Sequence, residues 1–401
     1  MANVTEEILD SKGGHRGRRS IEARPKAPRA ITVGLEVLGA APILSVSDSL
    51  AELKQLAGSV EIDVVAEFHQ KLRGPHPSTF VGKGKVEEIG AAIVEQRADV
   101  VIFDDELSPS QQRTLEETLK VPVIDRSQVI LDVFSNRART REGRLQVQLA
   151  AYEYQMPRLT GAWTHLSRQF GRGATRGGPG ETQLELDRRQ IRHRIADLKR
   201  QIEKVREQRQ IHRDYRREGG MAVVALVGYT NAGKSTVFNA LVHAALPAKD
   251  RPFDTLDPTT RRLRLASGQT VLLSDTVGFI QKLPLTLVAA FRATLEELEV
   301  ADVLIHVLDV SHKRGFEQGV SVQKTLDDLK LTNKPTITVL NKIDRLPGVT
   351  ALADLFVGVV GDEFGQLADH YPNAIPVSAT KGWNLDRLVA EIERLVVPAA
   401  L

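Results

Sequence analysis

Cysteine is absent from this 401-residue sequence. Disulfide staples, thiolate catalysis and cysteine-ligated metals are therefore excluded, which suits a reducing compartment. No apolar run approaches the length of a membrane span, the first residues lack the apolar core of a signal peptide, and no lipidation motif is present. A cytoplasmic protein without stable membrane insertion is expected. An excess of charge is also missing from the total, which is only +3, although positive charge is concentrated between about residues 137 and 217. Hydrophobic residues at 42% and charged residues at 26% are ordinary for a soluble protein, and the length accommodates two or three domains.

Residues 1–29 carry Gly13, Gly14, Gly17, Pro25 and Pro28 among basic side chains and read as a disordered tail. From residue 30 to 126, short β-rich runs (Ile31 to Val37, Val60 to Phe68, Val100 to Phe103, Val121 to Ile124) alternate with helical ones, which predicts a small parallel α/β domain. Residues 127–218 read as a basic helical hairpin. Leu145, Leu149, Tyr152 and Met156 form one narrow apolar seam, and Leu184, Ile191, Ile195, Leu198, Ile202 and Val205 form a second. The glycine-rich stretch 159–181 between them becomes the loop of an antiparallel pair. Because each helix then has a partner within the chain, a monomer is expected. Gly219-Gly220 marks a boundary, residues 221–397 alternate strand and helix as in a doubly wound sheet, and 398–401 form a short tail.

Within that last domain, the apolar run Ala222 to Val227 leads into Gly228-Tyr229-Thr230-Asn231-Ala232-Gly233-Lys234-Ser235-Thr236, followed by an amphipathic stretch containing Val237, Phe238, Ala240 and Leu241. A strand, a glycine loop of this spacing and a helix together specify a P-loop. Gly228 and Gly233 let backbone N–H groups face one point, where the helix N-terminus also meets phosphate. Lys234 is expected to reach the β- and γ-phosphates and Ser235 to ligate magnesium. Asp275-Thr276-Val277-Gly278 ends the next apolar strand, with Asp275 expected on magnesium through water and the Gly278 N–H on the γ-phosphate. Asn341-Lys342-Ile343-Asp344 follows the strand Thr336 to Leu340. The Asp344 carboxylate can accept from the N1 and N2 donors of guanine, and adenine offers neither, at a cost of about 2–5 kcal/mol for the mismatch. Ser378-Ala379-Thr380 adds a backbone N–H beside the guanine carbonyl. The site is thus expected to take GTP and GDP.

These four blocks resemble the motifs of translation-factor-class GTPases. The P-loop octapeptide, Phe253-Asp254-Thr255-Leu256-Asp257-Pro258-Thr259-Thr260-Arg261 and Asp275 to Ile280 resemble more narrowly the HflX family of ribosome-associated GTPases. Val81-Gly82-Lys83-Gly84-Lys85, Asp105-Glu106-Leu107-Ser108-Pro109 and Arg137 to Gly143 agree, so the similarity spans about residues 30–397. The resemblance implies a Mg2+-dependent GTPase in which Lys234, Thr255 and Gly278 serve catalysis and Phe253 joins the nucleotide site. It points to Thr255 as the switch I threonine on magnesium, while Thr259 and Thr260 offer the same chemistry in a Thr-Thr-Arg string. Phe279 occupies the position where many GTPases carry a water-orienting glutamine, which predicts slow basal turnover and stimulation by a partner. Asn231 resembles the asparagine of potassium-assisted GTPases; a loop-stabilising asparagine is the plainer reading.

Between Arg158 and Glu218 lie sixteen basic residues against eight acidic. Arg168, Arg172 and Arg176 stand among Trp163, His165 and Phe170 and several glycines, a mixture suited to pairing with phosphates and stacking on bases of structured RNA. On composition alone, a solvated charged face competes equally. The resemblance implies binding to the large ribosomal subunit and its ribosomal RNA, in ribosome splitting, rescue or biogenesis. A second reading is an RNA-binding protein or chaperone that uses guanine nucleotide only as a structural switch. An ATP-dependent enzyme, a third, would leave Asp344 idle.

Overall fold

The computed structural model describes residues 27–39, 43–159, 179–218, 221–243, 252–253, 255–256, 258–282, 292–356 and 362–396. Most of the expected N-terminal tail, the candidate RNA-contacting side chains at 163–176, the Gly219-Gly220 boundary and the last residues lie outside them.

The N-terminal unit is a four-stranded parallel sheet in the order β2-β1-β3-β4, formed by β1 Arg29–Val37, β2 Asp63–Leu72, β3 Val100–Phe103 and β4 Val123–Asp125. Its central strands are buried on both faces, so they read as continuous apolar runs. Helices α2 (Lys83–Gln96) and α3 (Pro109–Leu119) cover one face through Val86, Ile89, Ile93, Leu115 and Leu119. Helix α3 starts with a capping box: the Ser108 hydroxyl accepts from the Gln111 N–H, and the Gln111 side chain accepts from the Ser108 N–H. Helix α1 (Val46–Ser59) covers the other face with Leu50, Leu53 and Leu56. It shares that face with α4 (Arg126–Arg137), whose Val129, Ile130, Val133 and Phe134 belong to the same core. The sequence reading grouped residues 127–137 with the hairpin. The surface that buries them is chosen by packing.

The hairpin pairs α5 (Arg141–Gln155) with the 40-residue α6 (Pro179–Glu218). They run antiparallel, as Lys199 pairs with Glu153 at 2.8 Å and Arg209 with Glu142 at 2.7 Å. Leu145, Leu149 and Leu198 form the seam, flanked by Tyr152, Ile195, Ile202 and Val205. Met156 and Ile191, expected there too, are outside the cluster. At Met156 a proline-containing 3-10 turn has already ended α5.

The third unit is a six-stranded sheet in the order β10-β9-β8-β5-β7-β6, parallel except for β6 against β7. Its strands are β5 Val223–Gly228, β6 Thr259–Arg264, β7 Thr270–Asp275, β8 Val303–Asp309, β9 Thr336–Asn341 and β10 Ile375–Val377. Helices α7 (Lys234–Val242) and α11 (Leu385–Val396) pack on one face. Helices α8 (Arg292–Val300) and α9 (Gly315–Asp328) pack on the other, with α10 (Asp362–His370) beside α9. The α8/α9 face shares one continuous apolar cluster with the α1/α4 face of the N-terminal sheet. Among the described residues no helix is long and apolar enough to cross a membrane.

Asp132 on α4 is partly buried, and desolvation raises its carboxyl pKa to about 6, opposed by a hydrogen bond from Gln128. The raised value penalises folding above pH 6, and the penalty fades as pH falls toward the ordinary carboxylate value. Asp132→Asn is therefore expected to stabilise the fold by about 1–2 kcal/mol at pH 7.5 and by progressively less toward pH 4, read from denaturation midpoints at a series of pH values.

Candidate nucleotide site

Strand β5 ends at Gly228, and two glycines make the following loop sterically accessible. A Cβ on Gly228 would stand 2.3 Å from the Val307 carbonyl oxygen, and one on Gly233 would stand 2.3 Å from Asn341 Nδ2. Gly233 also takes a φ of 93° and caps α7 without any side-chain hydrogen bond, which leaves the helix's first N–H groups facing the cleft. Asn231 adopts a left-handed φ of 63°, a conformation asparagine tolerates well. Lys234 is buried and donates to the carbonyls of Gly228 and Tyr229 at 3.1 and 2.9 Å. Burial lowers its pKa to about 8, with Asp275 acting in the opposite direction.

Three oxygens converge beside it. Ser235 Oγ lies 2.7 Å from Thr255 Oγ1 and donates to Asp275 Oδ2 at 2.6 Å, while Thr255 Oγ1 donates to the same atom at 3.0 Å. Asp275 Oδ1 is buried and has no hydrogen-bond partner among the described residues. Burial raises the Asp275 pKa, with the two hydroxyls and Lys234 opposing it. Two hydroxyls and one carboxylate with a spare oxygen suit a small hard cation, so Ser235 and Thr255 would hold Mg2+ directly and Asp275 through water. Bound there, the ion would neutralise phosphate charge. Thr259 and Thr260 instead lie on β6, opposite Asp275 and Ser274, where the Thr260 hydroxyl donates to Ser274.

At the far end, Asn341 Nδ2 donates to the Ala232 carbonyl at 3.0 Å and its Oδ1 accepts from the Ala379 N–H at 3.3 Å, tying the P-loop to the base-side loop. Lys342 donates to the Asn231 carbonyl and to Asp309 at 2.8 and 2.6 Å. The Asp344 carboxylate accepts from the hydroxyls of Ser378 at 2.6 Å and Thr380 at 3.2 Å. A cleft of about 260 Å³ joins the two ends, bordered by Thr230, Asn231, Lys234, Ser235, Thr236, Thr255, Thr276, Gly278, Asn341, Lys342, Asp344, Ala379 and Thr380. Sequence reasoning missed Asp309 and Arg345. Asp309, an acidic end to the apolar strand β8, was the available signal, and Arg345 lines the cleft one residue after Asp344.

The irregular segment following Asp275 crosses directly beside the loop. The Thr276 hydroxyl bonds the Leu226 carbonyl at 2.5 Å, and Val277 is buried. Gly278 sits so close that a Cβ would stand 2.9 Å from Lys234 Nζ. Phe279 is stitched to the P-loop backbone, donating to Gly228 and accepting from Thr230, and its ring is buried in the core. Phe253 borders the cleft, but its ring packs edge-to-face on Phe134 of α4 at 4.7 Å.

A phosphate-cradling loop, a hydroxyl–carboxylate cluster for a hard cation and an Asn-Lys-x-Asp base reader on one sheet edge define a P-loop GTPase. Residues 47–135, 137–216 and 223–342 match the families described as GTP-binding GTPase N-terminal, GTP-binding GTPase Middle Region and 50S ribosome-binding GTPase. The chain is 45% identical over 352 residues to GTPase HflX of Magnetococcus marinus, covering 88% of this chain and 78% of that one. It is 51% identical over 297 residues to the Alkalihalophilus pseudofirmus protein (74% and 70%) and 43% identical over 349 residues to the Escherichia coli protein (87% and 79%). A GTP-binding protein from Sulfolobus solfataricus in complex with GDP matches at 21% identity and a TM-score of 0.44, over 92% of this chain and 98% of that one. The chain belongs to the HflX family of GTPases and hydrolyses GTP to GDP and phosphate.

Replacing Asp344 by alanine removes both acceptors for the guanine donors. Fluorescent GDP is expected to bind at least about 30-fold more weakly, with ATP competing no better than before; a loss under threefold would contradict the base-side geometry.

Proposed function

We propose that this GTPase binds the large ribosomal subunit through ribosomal RNA and acts in ribosome splitting, rescue or biogenesis, with hydrolysis stimulated by the ribosome. The observation that carries this reading is the basic side of α6. Its apolar edge is used on α5, while Arg189, Arg192, Arg194, Lys199, Arg200, Lys204 and Arg206 remain exposed. Arg206 also pairs with Glu296 of α8 at 3.1 Å, which links the helical unit to the GTPase sheet. The family description of residues 223–342 as a 50S ribosome-binding GTPase supports the same partner. Arg168, Arg172, Arg176, Trp163 and Phe170 supply further RNA contacts, and the protein works as a cytoplasmic monomer.

In the reaction, Lys234 steadies the β- and γ-phosphates, Gly278 donates its N–H to the γ-phosphate, and Ser235, Thr255 and Asp275 hold Mg2+. With the Phe279 ring in the core, basal turnover is slow. Asn231 supports a role for K+ beside the phosphates, for which equal turnover in sodium and potassium chloride is the contrary result.

Deleting residues 161–180 is expected to abolish ribosome-stimulated hydrolysis while GTP affinity stays within about twofold of wild type, measured by phosphate release with and without large subunits. Retained stimulation would remove the loop from the interface. The chaperone reading predicts no GTP cleavage in a single-turnover assay.

A further inference from the structure

Each of the three segments expected to touch the phosphates also reaches into the N-terminal unit. From the P-loop, the buried Tyr229 donates its hydroxyl proton to Glu52 of α1 at 2.6 Å and accepts from the Gln281 N–H at 2.9 Å. From switch I, Phe253 places its ring on Phe134 of α4. From the segment that follows Asp275-Thr276-Val277-Gly278, here called switch II, the Gln281 carbonyl accepts from Arg126 at 3.3 Å, and Lys282 pairs with Asp104 at 2.5 Å and Asp105 at 2.7 Å.

The receiving side is a buried charge cluster. Arg126 is 1% exposed and Asp104 is fully buried. The guanidinium holds Asp104 through Nε and Nη2 at 3.1 and 2.7 Å, Glu52 through Nη1 at 2.8 Å, and the Ser49 carbonyl through Nη2 at 2.8 Å. Its single positive charge faces three carboxylates: Asp104, Glu52 and the adjacent Asp105. The second cation comes from switch II, as Lys282. Leaving buried carboxylates without that cation is expensive, so the docked arrangement is favoured when Lys282 is delivered to it. In this arrangement Gly278 lies beside Lys234 and the Thr255 hydroxyl lies on Ser235 and Asp275, so the groups expected to meet the γ-phosphate and Mg2+ are brought together.

We propose that Glu52, Asp104 and Arg126 are positioning residues for the GTPase site, holding switch II closed so that the N-terminal unit favours GTP over GDP. By reciprocity, GTP tightens the docking of the N-terminal unit and GDP leaves it as it is without nucleotide, so nucleotide state is read out as the placement of that unit. The inference needs the nucleotide chemistry of the site and is independent of any ribosome contact.

The test is titration of a non-hydrolysable GTP analogue and of GDP, both with Mg2+, into wild type, Lys282→Met, Lys282→Arg and Glu52→Gln, with melting temperatures recorded alongside. Lys282→Met and Glu52→Gln are expected to weaken the analogue by about 5- to 50-fold while GDP affinity changes less than twofold, and Lys282→Arg is expected to retain the preference. Equal weakening of both nucleotides, or an unchanged ratio with only a lowered melting temperature, would reduce the cluster to a structural contact and overturn the proposal.

Discussion

A single guanidinium, that of Arg126, sits where the N-terminal sheet, α1 and the GTPase sheet meet, and the arrangement of the whole chain depends on its being satisfied. Its five donors are directed at two carboxylates and two backbone carbonyls, one of which belongs to switch II. Two carboxylates holding one buried cation would leave excess negative charge, and Lys282 offsets it from the other domain. The apolar cluster around this network runs unbroken from Leu50 and Phe134 to Val277, Phe279 and Leu326. Hydrophobic burial brings the units together without direction, and the buried charges fix which residues face each other.

The GTPase site draws its precision from backbone constraints of a different kind. Gly228 and Gly233 stand where no side chain fits, so β8 and Asn341 can press against the loop. Asn341 then bridges the P-loop to Ala379, and Lys342 ties Asn231 to Asp309, making phosphate and base ends one rigid frame. The segment from Gly278 to Lys282 leaves that frame and is the one whose Gln281 and Lys282 meet Arg126, Asp104 and Asp105 of the N-terminal unit.

Motifs whose function depends on local backbone geometry were legible in the sequence. The P-loop, Asp275-Thr276-Val277-Gly278 and Asn341-Lys342-Ile343-Asp344 follow apolar strands in fixed order, so their convergence on one sheet edge follows from topology. The α5/α6 seam was also legible, because heptad spacing records one face of one helix. What resisted reading was long-range pairing. Glu52 and Tyr229 are 177 residues apart, and Lys282 and Asp104 are 178 apart, and nothing in either local sequence announces the other. The choice among Thr255, Thr259 and Thr260 was open because hydroxyl chemistry is the same at all three; antiparallel pairing of β6 with β7 is what draws Thr259 and Thr260 onto a strand. Helix α4 fell within the stretch assigned to the hairpin, and it is packing against α1 and the N-terminal sheet that places it elsewhere.

The absence of cysteine makes the coupling between nucleotide and N-terminal unit directly measurable. Val94 on α2 and Lys330 after α9 are both exposed, and cysteines placed there would carry the only two labels in the chain. Distances between spin labels at these sites should form one narrow distribution with a GTP analogue and Mg2+, and a longer or broader one with GDP. Identical distributions in the two nucleotides would contradict the coupling.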